Sequence, residues 1–356
     1  MGNKMRASVL YNVGDVRYEM VNIPEITDTQ VLVNVKYVGI CGSDLPRSMV
    51  SGLSGNTKYP LILGHEFSGE VVKIGEKVKH INVGDRVAVC PAMPCFECDE
   101  CKKGLYSRCN NVAIIGNKEL GGCFAEYTKV KERNLIKIPD EISYETAAAL
   151  EPVCIAGHGL FRSEAKVGDT VVVLGTGPIG LFSIQWAKIF GSTKIIAVDV
   201  FDEKLDLAKE LGADICINAK EKNIVEEIKR LTDGDGADIV IESAGTPLTC
   251  GQVLLLAKKG GTVLYAGVPY GDVALTREQF EKIVRSELTV KGTWFGNSFP
   301  FPGKEWSAGL YHMQKGDMNV EKLVTHRINL EEVPAYFEKV YKRDIFFGKI
   351  MINIDN

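Results

Sequence analysis

Between Thr170 and Gly292 the chain repeatedly alternates short apolar runs with helical patterns. The runs are TVVVLG (170–175), KIIAVDV (194–200), DICIN (214–218), DIVIES (238–243), GTVLYAG (261–267) and LTVKG (288–292). PIGLFSIQWAKIFG, DEKLDLAKELG, EKNIVEEIKRL, TPLTCGQVLLLAKKG and TREQFEKIVRS lie between them with helical periodicity. Short apolar strands that alternate with helices pack as a parallel sheet covered on both faces. Six of them predict a doubly wound α/β domain that binds a dinucleotide.

The first strand runs into Gly175-Thr176-Gly177-Pro178-Ile179-Gly180, a G-x-G-x-x-G string between a strand and a helix. That context gives the string its meaning. Gly175 makes the turn, Gly177 lets backbone approach a pyrophosphate, and Gly180 lets helix and strand pack closely. Pro178 and Ile179 open the helix, whose unpaired N–H groups face the phosphates. Asp199 ends the second strand, where its carboxylate can bind both ribose hydroxyls and repel a 2′-phosphate. No arginine follows it in VFDEKLDLAK, which favours NAD over NADP. Lys204 is a counter-hint, since an ammonium there can meet either ribose.

Residues 1 to about 150 read differently. VLVNVKYVGI (31–40) alternates, and EFSGEVVKIG and VGDRVAV are strand patterns broken by Gly and Asp. These predict a β-rich domain with long loops. ETAAALEP starts a helix near residue 145, and the tail after about 293 carries no clear pattern.

Cys95, Cys98, Cys101 and Cys109 lie within PCFECDECKKGLYSRC, and four thiolates this close can surround one zinc ion. A disulfide framework belongs to small secreted chains, and this one has 356 residues and no apolar signal core at MGNKMRAS. An iron–sulfur cluster is the other alternative, but the proline that commonly follows the last cysteine of the bacterial ferredoxin run is absent. Cys90, Cys123, Cys154, Cys216 and Cys250 show no ligand spacing and read as core or loop residues. Ten cysteines suggest a reducing compartment, with the cytosol the default.

The formal net charge of −4 gives no basic footprint for nucleic acid, and no apolar run reaches the length of a membrane span. Arg6 stands where a myristoylation motif requires Ser or Thr.

Cys41 in CGSD, His65 and Glu66 in GHE, and Glu151 in EP each have a bland reading alone, as core thiol, structural histidine or helix-start acid. Their order is informative. CGSD, GHEFSG, the four-cysteine lobe, VGDRVAV, GGCFAEY, EP and GTGPIG follow one another as in the zinc-dependent medium-chain alcohol and polyol dehydrogenases, and the chain resembles that family over nearly its whole length. The resemblance implies a GroES-like catalytic domain from residues 1–155 and 293–356, with a structural zinc lobe at about 90–112. Residues 156–292 would be an inserted Rossmann NAD-binding domain, with the active site in the cleft between the two.

Carried over by motif, Cys41 and His65 match catalytic zinc ligands. Glu151 matches the polyol-dehydrogenase ligand position. Glu66 ligates the ion directly or stands just behind it. Ser43 matches the hydroxyl on the proton path, and Asp44 the acid that orients the histidine. His158, seven residues beyond Glu151, is a weaker functional candidate.

The resemblance further implies two zinc ions per subunit, NAD, a sugar-alcohol phosphate as substrate, and a homodimer or homotetramer pairing through LTVKG. Two departures argue against plain sorbitol. Leu45-Pro46-Arg47 stands where many polyol dehydrogenases have a histidine, and no arginine lies near Trp294-Phe295. A phosphate needs a cation, for which Arg47 and Lys304 are the candidates. Dehydrogenases of ribitol 5-phosphate, sorbitol or L-threonine, and a catalytically silent zinc-binding relative, remain alternatives.

Overall fold

The computed structural model describes residues 3–50, 59–116, 121–342 and 345–355. Met1 and Gly2, read above for lipidation, lie outside them. They divide into two units: Met1–Glu151 with Asn297–Gln314 and Val324–Asn356, and Pro152–Gly296 with Lys315–Leu323.

The second unit is built on a six-stranded sheet whose strand pairs are all parallel. Across it run Ile215–Asn218, Lys194–Asp199, Thr170–Leu174, Ala237–Glu242, Ala257–Tyr265 and Thr289–Gly292. In chain order this is 3-2-1-4-5-6, the doubly wound arrangement. Its central strands are apolar because helices cover both faces, and Val171, Val172, Val173 and Leu174 are buried. Local chemistry starts the helices. Asn223 caps Ile224–Leu231 through the amides of Val225 and Glu226, and Thr246 and Thr276 form capping boxes at Pro247–Leu256 and Arg277–Arg285. One boundary moves: the helix expected to reach Gly260 stops at Leu256. The chain turns directly into strand Ala257–Tyr265, where Ala257 pairs with Ala237.

The first unit holds a seven-stranded mixed sheet in the order Leu135–Lys137, Arg86–Val89, Glu66–Ile74, Gln30–Gly39, Lys349–Asn353 and Val324–Asn329. Tyr127–Lys131 also pairs with Gln30–Gly39. Val31, Val33, Val35, Val38, Phe67, Val71, Ile350, Ile352 and Phe337 form its core. A second sheet of three strands pairs Lys4–Asn12 with Asp15–Asn22 and Leu61–Ile62.

The tail that carried no sequence pattern supplies helices Lys304–Lys315 and Val333–Tyr341 and two neighbouring strands of this sheet. Lys349–Asn353 lies between Gln30–Gly39 and Val324–Asn329, so both its edges are paired and its first four residues are buried. A strand buried on both faces has no polar alternation to reveal it. Gly39 pairs with Glu66 on one side and with Met351 on the other. That register brings three distant segments to one end of the sheet.

Candidate metal centres and nucleotide loop

The four-cysteine segment folds as a lobe in the first unit. The Sγ atoms of Cys95, Cys98, Cys101 and Cys109 all lie within 4.8 Å of one another. Cys95 is 3.9 Å from Cys101 and 3.5 Å from Cys109, far beyond an S–S bond. Four thiolates at about 2.3 Å from a zinc ion sit about 3.8 Å apart at tetrahedral corners, so the spacing fits that ion. Backbone amides of Cys101 and Asn110 hold the Cys98 thiol down to about 6, ready to bind as thiolate, whereas burial pushes Cys101 up to about 12. Phe301 packs edge to face against Phe96 and Tyr106 of the lobe, with Arg133 over Phe96. Ser107 donates to the Asn297 carbonyl, tying the lobe to the returning C-terminal segment.

The second cluster gathers at the sheet end marked by Gly39. Cys41 follows strand Gln30–Gly39, while His65 immediately precedes and Glu66 opens strand Glu66–Ile74. One donor atom from each of Cys41, His65 and Glu66 lies within 4.8 Å of the others. The Cys41 amide donates to Asp44 Oδ2 at 3.1 Å, which fixes the turn. Asp44 Oδ1 is 3.7 Å from His65 Nδ1, in place to steady the imidazole. Both atoms are buried and make no hydrogen bond. Ser43 Oγ donates to Cys41 Sγ at 3.3 Å.

Glu151, in the first turn of helix Leu150–Ser163, is not among the three mutually close donors, but it interacts electrostatically with them. Burial pushes its carboxyl up to about 7, with His65 opposing and Glu66 adding to the shift. Burial also drives the Cys41 thiol well above its ordinary range, and Glu66 and Asp44 drive it further. Cys41, Asp44, Glu66 and Glu151 crowd potential negative charge into one desolvated place. An imidazole, a thiol and carboxylates form a donor set suited to zinc, and a bound cation would reverse the electrostatic penalty.

Sequence reasoning missed Lys349. It is buried in the C-terminal strand, and its ammonium pairs with Glu66 Oε2. Burial lowers its pKa, but the charges of Glu66 and Cys41 outweigh that and leave it above the ordinary lysine value. A lysine opening an apolar run gives no local sign of such a role.

Arg47 does not present itself to solvent. It lies in helix Asp44–Met49, and its Nη1 is 3.9 Å from Asp44 Oδ1. Its Nε and Nη1 are buried and make no hydrogen bond among the described residues. Lys304 is exposed at the start of helix Lys304–Lys315. His158 is buried in the second unit.

In that unit, strand Thr170–Leu174 leads through Gly175-Thr176-Gly177 into helix Pro178–Ile189, with Gly177 as N-cap and Pro178 in the first turn. Gly175 has φ +88°, and a Cβ there would come within 2.6 Å of the Ala244 amide nitrogen. A Cβ on Gly180 would collide with the Gly175 carbonyl. The fold itself therefore requires these two glycines. Gly177 differs: a Cβ there would meet nothing within 4 Å. The open space beside the helix N-terminus fits a pyrophosphate. Asp199 Oδ2 accepts from Thr176 N and Oγ1 at 2.7 and 2.9 Å, and Oδ1 accepts from Val200 N at 2.7 Å. The Lys204 ammonium lies 5.3 Å from the Phe201 ring centre.

The metal-free protein has a testable pH signature. The folded state holds a proton on Glu151 up to about 7, whereas the unfolded carboxyl releases it near 4.5. Stability from this group is complete below about 4.5 and is lost as pH rises through about 7. The loss approaches about 3 kcal/mol, at 1.36 kcal/mol per unit. Urea midpoints of metal-free wild type and Glu151→Gln should diverge across this window, the variant falling less. Parallel curves would refute the assignment.

Comparison with known proteins agrees with the fold. Residues 27–140 match the alcohol dehydrogenase GroES-like domain, and residues 178–315 match the zinc-binding dehydrogenase family. Sorbitol dehydrogenase of Bacillus subtilis (strain 168) is 34% identical over 351 residues, 98% of this chain and 97% of the relative. Galactitol 1-phosphate 5-dehydrogenase of Escherichia coli (strain K12) is 35% identical over 349 residues, 98% and 99% of the two chains. The crystal structure of galactitol-1-phosphate dehydrogenase from Escherichia coli matches with TM-score 0.92 at 34% identity, covering 98% of this chain and 100% of that one. A zinc-binding dehydrogenase from Sinorhizobium meliloti 1021, solved with NADP, matches with TM-score 0.91 at 32% identity, covering 99% and 100%. The mixed sheet is the GroES-like domain, the parallel sheet is the Rossmann-like domain, and the chain belongs to the zinc-dependent medium-chain alcohol and polyol dehydrogenases.

Proposed function

We propose that this dehydrogenase holds two zinc ions per subunit and uses NAD to oxidise a secondary alcohol of a sugar-alcohol phosphate. The favoured substrate is galactitol 1-phosphate, with D-tagatose 6-phosphate as product. The buried, acid-rich set of Cys41, His65 and Glu66 carries the reading of the reaction. The substrate rests on likeness to the galactitol phosphate enzyme over 98% of the chain. The sorbitol relative matches equally well and favours a second reading, a free-polyol dehydrogenase. Among the described residues no helix is long and apolar enough to cross a membrane, in keeping with a proposed cytosolic site. A homodimer or homotetramer, pairing through the sheet-edge strand Thr289–Gly292, completes the proposal.

In this reading Cys95, Cys98, Cys101 and Cys109 hold the structural ion. Cys41, His65 and Glu66 hold the catalytic one, with Glu151, which interacts electrostatically with them, as a further candidate ligand. Zinc supplies Lewis-acid help for loss of the hydroxyl proton, and nicotinamide accepts the hydride. Asp44 steadies the His65 ring. The Ser43 hydroxyl, now donating to Cys41 Sγ, rotates to take the substrate proton and passes it towards solvent. Gly177 and the amides after it receive the pyrophosphate, and Asp199 receives the ribose, with Lys204 beside it. Arg47 Nε and Nη1, which make no hydrogen bond among the described residues, support a role for it in binding the phosphate. A buried donor without an acceptor costs about 1–3 kcal/mol, which a phosphate oxygen would offset. Lys304 is the second candidate.

Elemental analysis of protein purified without chelator should find about two zinc ions per chain. Cys98→Ser should lower the melting temperature first, and Cys41→Ser should abolish turnover with the fold intact. Fully active protein with a single ion would remove one of the two sites.

Asp199→Ala should weaken NAD by roughly 1.5–3 kcal/mol, the range for hydrogen bonds to a charged group, and narrow the preference over NADP. Equal kcat/KM for the two cofactors in the wild type would refute the role given to Asp199.

A screen of phosphorylated and free polyols, read at the nicotinamide absorbance, tests the substrate. Arg47→Met should raise KM for the phosphorylated polyol far more than for the free one. A wild type indifferent to the phosphate would transfer the proposal to a free polyol.

A further inference from the structure

Lys349 is the first residue of the C-terminal strand and is 1% exposed. Its Nζ donates to Glu66 Oε2 and, at 2.9 Å, to the Ile40 carbonyl. Ile40 immediately precedes Cys41, and Glu66 immediately follows His65. One ammonium thus ties together the two segments that carry the Cys41, His65 and Glu66 donors. The backbone is shaped around this contact. A Cβ on Gly39 would collide with Glu66 Oε2 and come within 2.7 Å of Lys349 Cε. The glycine leaves room for the pair at the row where three strands meet.

Core packing does not explain the charge. Desolvating an ion pair cancels much of its attraction, and apolar residues of similar volume often replace such a pair at no loss. A methionine at position 349 would fill the same space. What it could not do is hold the Glu66 carboxylate and the peptide before Cys41 at once.

We propose that Lys349 is a positioning residue of the metal centre, fixing Glu66 and the Ile40–Cys41 peptide so that the donors converge on the ion and retain it. The inference rests on the reading of Cys41, His65 and Glu66 as ligands. It adds that a residue more than 280 positions from Glu66 sets how firmly the ion is held.

The test follows metal loss to a chelator, by elemental analysis over time, in zinc-loaded and cobalt-loaded protein. Wild type should hold two ions per chain and lose them in two phases, one for the cysteine lobe and one for the Cys41 site. Lys349→Met should accelerate only the second phase, by about 10- to 100-fold, the range for losing a group that orients a ligand. The cobalt absorption spectrum should change with it, and Lys349→Arg should restore both readouts in part. A purely structural lysine would give a lower melting temperature with both phases and the spectrum unchanged, which would overturn the proposal. If Lys349→Met does not fold, Gly39→Ala decides, because it keeps every charge and displaces the pair. It should speed the same phase, and an unchanged phase overturns the proposal. A wild type holding one ion, in the cysteine lobe alone, would refute the metal centre itself. That outcome is distinct from two ions with a Lys349 variant that loses them normally.

Discussion

The first unit depends on one strand register. With Gly39 opposite Glu66 and Met351, the ends of three strands meet in a single row. Cys41 leaves that row on one strand, His65 precedes it on the second, and Lys349 enters it on the third. A slip of one residue would turn every side chain of a strand to the other face. Val31, Val33, Val35 and Val38 in the core oppose that slip, as do Ile350 and Ile352. Hydrophobic packing at the sheet centre therefore fixes the geometry of polar groups at its end.

Those polar groups are a poor arrangement for a protein without a cation. Burial raises the thiol of Cys41 and the carboxyl of Glu151, and each neighbouring acid adds to the effect. Lys349 and Arg47 are the basic groups set against these acids, and Arg47 meets Asp44 only at 3.9 Å. The cluster carries an electrostatic cost that a bound divalent ion would relieve. Binding and folding are coupled in this way wherever ligands must lose protons to bind. The cysteine lobe uses a different device. Its thiols are drawn together by backbone turns and local amide donors, and at Cys98 these lower the thiol pKa to about 6.

The glycine-rich loop separates two glycines that the fold requires from one that it does not. Gly175 and Gly180 are hemmed in by Ala244 and by each other, so any side chain there would break the turn. Gly177 has free space and no packing reason to be glycine. Asp199 braces Thr176 in the loop and stands at the strand end where the ribose is proposed to bind. Loss of its carboxylate would loosen the loop as well as remove a ligand.

Wherever the signal was local, the sequence was sufficient. Apolar runs alternating with helical periodicity set out the parallel sheet, G-x-G-x-x-G between strand and helix marked the turn, and the spacing of Cys95, Cys98, Cys101 and Cys109 marked a lobe in which the four thiols converge. Helix-capping residues such as Asn223, Thr246 and Thr276 also act within a few residues. Tertiary structure decided what depends on pairing between distant segments. The C-terminal strand Lys349–Asn353 has no alternation because neighbours enclose it on both edges and both faces. Lys349 became a partner of Glu66, and Gly39 the space between them, only through that pairing. Arg47 turned inward because Asp44, three residues earlier on the same short helix, is itself buried. Sequence specifies which groups can donate, accept or bear charge, but their desolvation and contacts arise when long-range packing closes around them.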